Sequence, residues 1–440
     1  MPPDGANLDQ LRAVDLDSAV EGNQASTKTS PHGDSRPLLK IGGEVISTVG
    51  ANIAFVLSQF IVLWLIARFS DLETVGQFGL AMAILQPVFV LGRMGLRCGH
   101  ATEIEQTYAL STYLRLSLML AVASSVLCLA ALASFRPDIV ALAFPLAVAK
   151  AVELVSLTLY GAFQRSGALG HMARSLVLRS VAGTGLFAIL LLYGTDVEAA
   201  LWAQPLIWLL VFLLHDMPAR PREGSLRPSL RAHGVLRLLR TNSSLGLGQF
   251  LSVLQMSVPR ILIEVMIGSA ALGLFTVIAY LQQAAMTVFD AVGQVITPRL
   301  ARYWYAGQRA AFGQMLRSLM ALAAACSLLG GALGLALGPT MLEIAFGPDF
   351  ADAGALLKWV LLTIGLRLLS AIAQSGLLSR RAFQTFGTLQ ATLFTLSIPC
   401  TLTLIHVGGL AGAGISLALM AAIRLLLLLF LLRQTDRIDA

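Results

Sequence analysis

About twelve apolar runs, each long enough to cross a hydrocarbon layer of about 30 Å as a helix of roughly 20 residues, constrain this chain most. They fall at about 43–67, 76–98, 112–134, 138–161, 172–194 and 197–215, then at about 242–267, 273–297, 313–337, 353–377, 385–407 and 410–432. Lipid offers the backbone no hydrogen-bond partner, so each run has to satisfy its own amides, and a helix does this within one segment. The fold class that follows is all-α: a polytopic membrane protein of two six-helix bundles. Charged residues make up 12% of the chain, about half the roughly 25% of an ordinary soluble domain, which excludes a water-soluble globule.

The halves are divided by a basic interval. Residues 1–41 are rich in Ser, Gly, Pro and Asp and read as a disordered cytoplasmic tail; 42–215 form one bundle, 216–240 a basic cytoplasmic linker, 241–433 the second bundle, and 434–440 a cytoplasmic tail. In the linker Arg220, Arg222, Arg227, Arg231, Arg237 and Arg240 outnumber Asp216 and Glu223, and Pro218, Pro221 and Pro228 forbid a continuous helix through its first part. From Ser229, the residues Leu230, Val235, Leu236 and Leu239 set among arginines fit a short amphipathic helix on the headgroups of membrane lipids. Arg93, Arg97, Arg115, Arg165, Arg174, Arg299, Arg302, Arg309, Arg380, Arg381 and Arg433 share the linker's side, and by the Lys/Arg bias both termini are cytoplasmic. The net charge of +7 therefore reports topology; no basic face interleaved with aromatics points to nucleic acid. Cys98, Cys128, Cys326 and Cys400 form no CxxC or His-spaced metal set, read as small buried side chains, and call for no cofactor.

The bundles look duplicated. GQFGLAMAILQP from Gly76 matches GLFTVIAYLQQA from Gly273, aligning Gly76, Phe78 and Gln86 with Gly273, Phe275 and Gln283 at one constant offset. FRPD at Phe135–Asp138 matches FGPD at Phe346–Asp349. An even number of helices separates equivalent positions, so the halves share one orientation about an axis along the membrane normal, an arrangement that holds its site between them.

Ionisable residues inside spans cost a few kcal/mol each and need a partner or a wet cavity. Lys150 and Glu153 stand three apart and Arg260 and Glu264 four apart, so each pair shares a helix face and could neutralise itself. Arg367 and Arg424 have no acid within a turn of their own helix. Lys150, Arg260, Arg367 and Arg424 are the candidates for a cationic cavity, with Arg260 nearer the outside and Arg424 nearer the cytoplasm; arginine's planar fork suits a phosphate oxyanion. Glu153, Glu264 and Asp290 are the acids available for coupling or charge pairing, Asp290 with a partner such as Arg299. Arg174 and Arg179, entering the fifth helix from the cytoplasm, read as snorkelling anchors, and Pro87 and Pro259 as bends.

On VGQFGLAMAILQPVFVLGRMGLR at 75–97, IAFGPDFADAGALLKWVL at 344–361, LLSRRAFQTFGTLQATL at 377–393 and GGLAGAGISLALMAAIRLLLLLFLLR at 408–433, the chain resembles the polysaccharide transporter family of the multidrug/oligosaccharidyl-lipid/polysaccharide (MOP) flippase superfamily. That family includes O-antigen and exopolysaccharide repeat-unit flippases. The resemblance implies two bundles around a cleft opening alternately to each side of a bacterial inner membrane, and a cargo of oligosaccharide linked to an undecaprenyl-type diphosphate. It also implies a polymerase of the same pathway as a partner. Two other readings compete. A cation-coupled drug exporter of the same superfamily would carry an acid in its first helix, where 45–67 holds Asn52, Ser58 and Gln59 and none. A membrane-embedded polymerase or glycosyltransferase would want an acid/base pair or basic residues on a sizeable outer loop, and the longest, 338–352, holds Glu343, Asp349 and Asp352.

Overall fold

The computed structural model describes residues 36–97, 100, 109–221, 232–346, 354–380 and 383–438. The tail before residue 36, residues 222–231 of the basic stretch, and the FGPD segment beyond Phe346 lie outside the described residues. The chain divides at Val45, and the architecture below is that of Ile46–Ala440.

Every described element is helical, as the apolar runs demand. The first bundle holds α1 (Arg36–Phe69), α2 (Leu72–Arg93), α3 (Leu110–Phe135), α4 (Val140–Arg165), α5 (Leu169–Leu192) and α6 (Ala203–Val211), the last extended by a π turn over Phe212–Asp216. The second holds α7 (Ala232–Met266), α8 (Ser269–Tyr305), α9 (Arg309–Phe346), α10 (Gly354–Leu378) and α11 (Phe383–Ile438). Among the described residues ten stretches are long and apolar enough to cross a membrane. The last of them lies within α11, whose 56 residues would span about 84 Å if straight and must turn. It does so at Gly409, whose φ of 54° and ψ of −135° break the helix. Beyond the turn the arms close up, for a Cβ on Gly412 would sit 1.8 Å from the Leu404 carbonyl oxygen. With that double crossing, and with α7, two six-helix bundles are complete.

Helix ends depart from the sequence reading where charge misled it. α7 begins at Ala232, inside the interval read as linker, and the connection read at 338–352 is helical through Phe346. A hydrophobicity window stops at the water boundary, whereas backbone hydrogen bonding continues past it. Of the cysteines, Cys128 is buried as expected, but Cys326 is exposed on the outward face of α9 and Cys400 is half-buried. α9 is peripheral, with 6% of its apolar window buried, against 72% for α2.

α2 is central because it crosses α8 between the bundles. A Cβ on Gly76 would lie 1.9 Å from the Ser269 carbonyl oxygen, and one on Gly273 would lie 2.2 Å from that of Leu72. The contact is reciprocal under the offset that aligns the two sequences, and a Cβ on Gly79 would lie 2.1 Å from the hydroxyl oxygen of Thr276, its own counterpart. The pseudo-two-fold axis passes between them. At the same end Arg136, between α3 and α4, donates to Glu264 of α7, and the Ser269 hydroxyl also donates to Glu264 at 2.9 Å.

α2 starts where Asp71 caps it, accepting from the Thr74 backbone N–H at 2.9 Å, and that bond holds the Asp71 carboxyl below its ordinary value. Asp71→Ala is expected to cost about 1 kcal/mol near neutral pH. A group with a lowered folded pKa stabilises above its unfolded value and loses that contribution as the pH falls. The difference between wild type and variant in detergent thermal melts should therefore shrink as the pH drops through and below the ordinary Asp71 value of 3.8.

Candidate functional site

Between the bundles lies a cavity of about 440 Å³. α1, α2 and α4 wall it from one side, and α7, α8, α10 and α11 from the other. Prolines inside four of these helices, Pro87, Pro145, Pro259 and Pro399, each remove one backbone hydrogen bond and permit a bend.

All four cations singled out from sequence, Lys150, Arg260, Arg367 and Arg424, line this one cavity, and Arg93 joins them. Glu153 is the acid among the described lining. Lys150 Nζ donates to Glu153 Oε2 at 2.8 Å, the pairing that their shared face of α4 allows, while Arg93 Nη2, at the end of α2, donates to Glu153 Oε1 at 2.7 Å. The carboxylate thus bridges two cations. Sequence reasoning missed Arg93 by taking it for a topology anchor at a helix end. The signal was available: Arg93 stands seven residues from Gln86, two turns along the same face, and Gln86 lines the cavity too.

The Arg260–Glu264 pairing that their shared helix face allows is not the one made. Glu264 turns to Arg136 and Ser269 at the end where α2 meets α8, outside the described cavity lining. Arg260 instead places its guanidinium over the Tyr280 ring, 5.7 Å from the centroid, and its Nε is buried with no hydrogen-bond partner among the described residues. Sharing a helix face permits a contact but does not decide it; Arg136, 128 residues away, supplies the competing donor. Arg424 is held by side-chain amides, donating from Nη2 to Gln374 Oε1 at 2.7 Å and from Nη1 to Gln390 Oε1 at 3.1 Å. Gln390 in turn donates to Ser252 Oγ. The Asp290 side chain lies outside the described residues.

Polar groups complete the wall. Gln59, Gln255, Gln282 and Gln283 line it with Ser257, Ser397, Ser416, Thr363 and Thr401, and Phe55, Phe60, Phe275 and Tyr280 supply flat apolar surface. Amides and hydroxyls both donate and accept, as a polyhydroxylated ligand requires. Among the described residues no group of three or more His, Cys, Asp or Glu is placed to hold a metal.

Arg179 is not the exposed anchor expected of it. Arg174 is exposed, but Arg179 is 2% exposed and donates from Nη2 to Asp216 Oδ2 and to Ser156 Oγ, each at 2.7 Å. Asp216, read as the start of the linker, is fully buried at the end of the π turn and also accepts from Ser175 Oγ at 2.9 Å. This network lies outside the cavity lining and ties α4, α5 and the end of α6 together.

The family described as "Polysaccharide biosynthesis protein" matches residues 41–304. A "Capsular polysaccharide biosynthesis protein CapF" of Staphylococcus aureus is 22% identical over 323 residues, covering 72% of this chain and 79% of that protein. Among solved structures, an inward-facing multidrug resistance MATE family transporter of the MOP superfamily superposes with a TM-score of 0.75 at 16% identity, over 90% of this chain and all of that one. The lipid II flippase MurJ, in an inward closed conformation, superposes at 0.67 and 12% identity over 89% and 87% of the two chains. The fold is that of the MOP transporters.

Proposed function

The chain belongs to the polysaccharide biosynthesis protein family, and from that premise we propose that it is a flippase for an oligosaccharide carried on a polyprenyl diphosphate. The cavity between the bundles takes the diphosphate and sugars, the polyprenyl tail stays in lipid, and the bundles open alternately to the two faces of a bacterial inner membrane. The termini lie on the cytoplasmic side, a reading that the arginine-rich ends of the helices support.

One observation carries this reading: Arg93, Lys150, Arg260, Arg367 and Arg424 face one cavity that holds a single acid, Glu153, among the described lining. Such an excess of cations deep in a membrane protein is costly unless an anion visits it. Guanidinium forks donate paired hydrogen bonds to phosphate oxygens, and the glutamines and hydroxyls around them match sugar hydroxyls. The drug-exporter reading fits less well, because a cationic cargo would meet the same excess charge with Glu153 already engaged by two cations.

Reconstitution tests the proposal. Vesicles containing the protein should move a fluorescent oligosaccharide on a polyprenyl diphosphate from one leaflet to the other, and empty vesicles should not. Arg424→Ala should slow transfer at least about ten-fold, since a hydrogen bond to a charged group contributes about 1.5–3 kcal/mol. Equal rates with and without protein, or an unaffected variant, would remove the proposal.

A further inference from the structure

Resting on the anionic cargo just proposed, we infer that Glu153 is the site's own counter-anion: it occupies the Arg93–Lys150 pair while the cavity is empty and is displaced when a polyanionic headgroup enters. The geometry is specific. The two carboxylate oxygens serve different cations, Oε1 accepting from Arg93 at 2.7 Å and Oε2 from Lys150 at 2.8 Å. Neither cation is remote from the cargo's space, because all three side chains line the cavity. Their partial burial, with side-chain exposures of 29% for Arg93, 10% for Lys150 and 13% for Glu153, makes it costly to leave any of them without an opposite charge.

A carboxylate bridging two cations presents the pattern of charged acceptors that two oxygens of a phosphate would present. Glu153 keeps Arg93 and Lys150 compensated between visits and withholds them from weak competitors. A singly charged anion would only replace one negative charge with another and gains nothing from the exchange. A diphosphate brings more charge, and the cavity it enters is also lined by Arg260, which faces Tyr280 with its Nε unpaired among the described residues. Glu153 therefore acts as a specificity-determining residue, setting a threshold of charge that the headgroup must exceed. The displaced carboxylate stays on α4, where it can retake the pair once the cargo leaves.

The probe is inorganic pyrophosphate, titrated calorimetrically into the full-length protein in lipid nanodiscs. Glu153→Gln keeps the side-chain shape and removes the competing charge, so it should bind pyrophosphate about ten-fold more tightly than wild type. It should also lose discrimination against a singly charged sulfonate. Adding Arg93→Gln to it should abolish the gain, and Arg260→Gln alone should weaken binding. On the unsubstituted protein, pyrophosphate should shift an infrared carboxylate stretching band that is absent from Glu153→Gln. Unchanged or weaker binding by Glu153→Gln, together with no band shift in wild type, would overturn the role of Glu153. If Arg260→Gln still weakened binding in that case, the anionic-cargo reading would stand; no pyrophosphate binding by any form would overturn both.

Discussion

Gly76→Leu is expected to reduce translocation about a hundred-fold while leaving the protein inserted in the membrane. A side chain there would begin 1.9 Å from the Ser269 carbonyl oxygen, and that atom is backbone that no rotamer change can move aside. α2 and α8 would have to part where small residues let them touch. Overpacking of this kind costs about 1–3 kcal/mol or more, and each 1.4 kcal/mol is a factor of ten in the population of the state in which the two helices touch. Gly273→Leu should do the same, since its Cβ would meet the Leu72 carbonyl oxygen at 2.2 Å. Gly185→Leu and Gly313→Leu, with nothing within 4 Å of the added carbon, serve as controls and should transport normally. A cysteine at Thr276, buried opposite Gly79, reports the cause: it should be shielded from a membrane-impermeant maleimide in wild type and react in Gly76→Leu. Normal transport by Gly76→Leu would show that this end need not close.

The duplication that underlies the reciprocal crossing was legible in the sequence for a physical reason. Gly76 and Gly273 are needed where two backbones touch, and a duplicated bundle repeats that need at one offset, so the match survives where lipid-facing residues vary freely. Cations in mid-span were legible too, since burying a charge in lipid is costly enough that each demands an explanation; Lys150, Arg260, Arg367 and Arg424 lie around one cavity. What could not be read was partner choice between helices. Spacing along a helix says which residues share a face, and on that rule Arg260 and Glu264 could pair; only the tertiary fold, which brings the turn between α3 and α4 beside α7, sets Arg136 on Glu264 instead. Helix ends were ambiguous in the same way. An arginine at the end of an apolar run is usually a topology signal, yet Arg93 turns into the cavity and Arg179 into the bundle.

Arg179 carries the second large effect. Asp216→Ala should lower stability by about 3–5 kcal/mol, because it strands a buried guanidinium that now shares 2.7 Å contacts with Asp216 and Ser156. The loss is of the pair's remaining charge and not of the attraction itself, which the cost of desolvating both ions largely offsets. That distinction is testable. Arg179→Met combined with Asp216→Leu removes both charges and keeps apolar volume, and should recover most of the stability lost by Asp216→Ala. Tyr160, whose ring lies 5.7 Å from the Arg179 guanidinium and whose hydroxyl lies 2.7 Å from Ser175 Oγ, should stay packed in the double variant and lose its neighbours' order in the single one. Thermal and denaturant unfolding of the three proteins in the same detergent would decide between the two accounts. A single variant within about 1 kcal/mol of wild type would mean that the network is not a structural tie, and that surface charge pairs are its proper comparison.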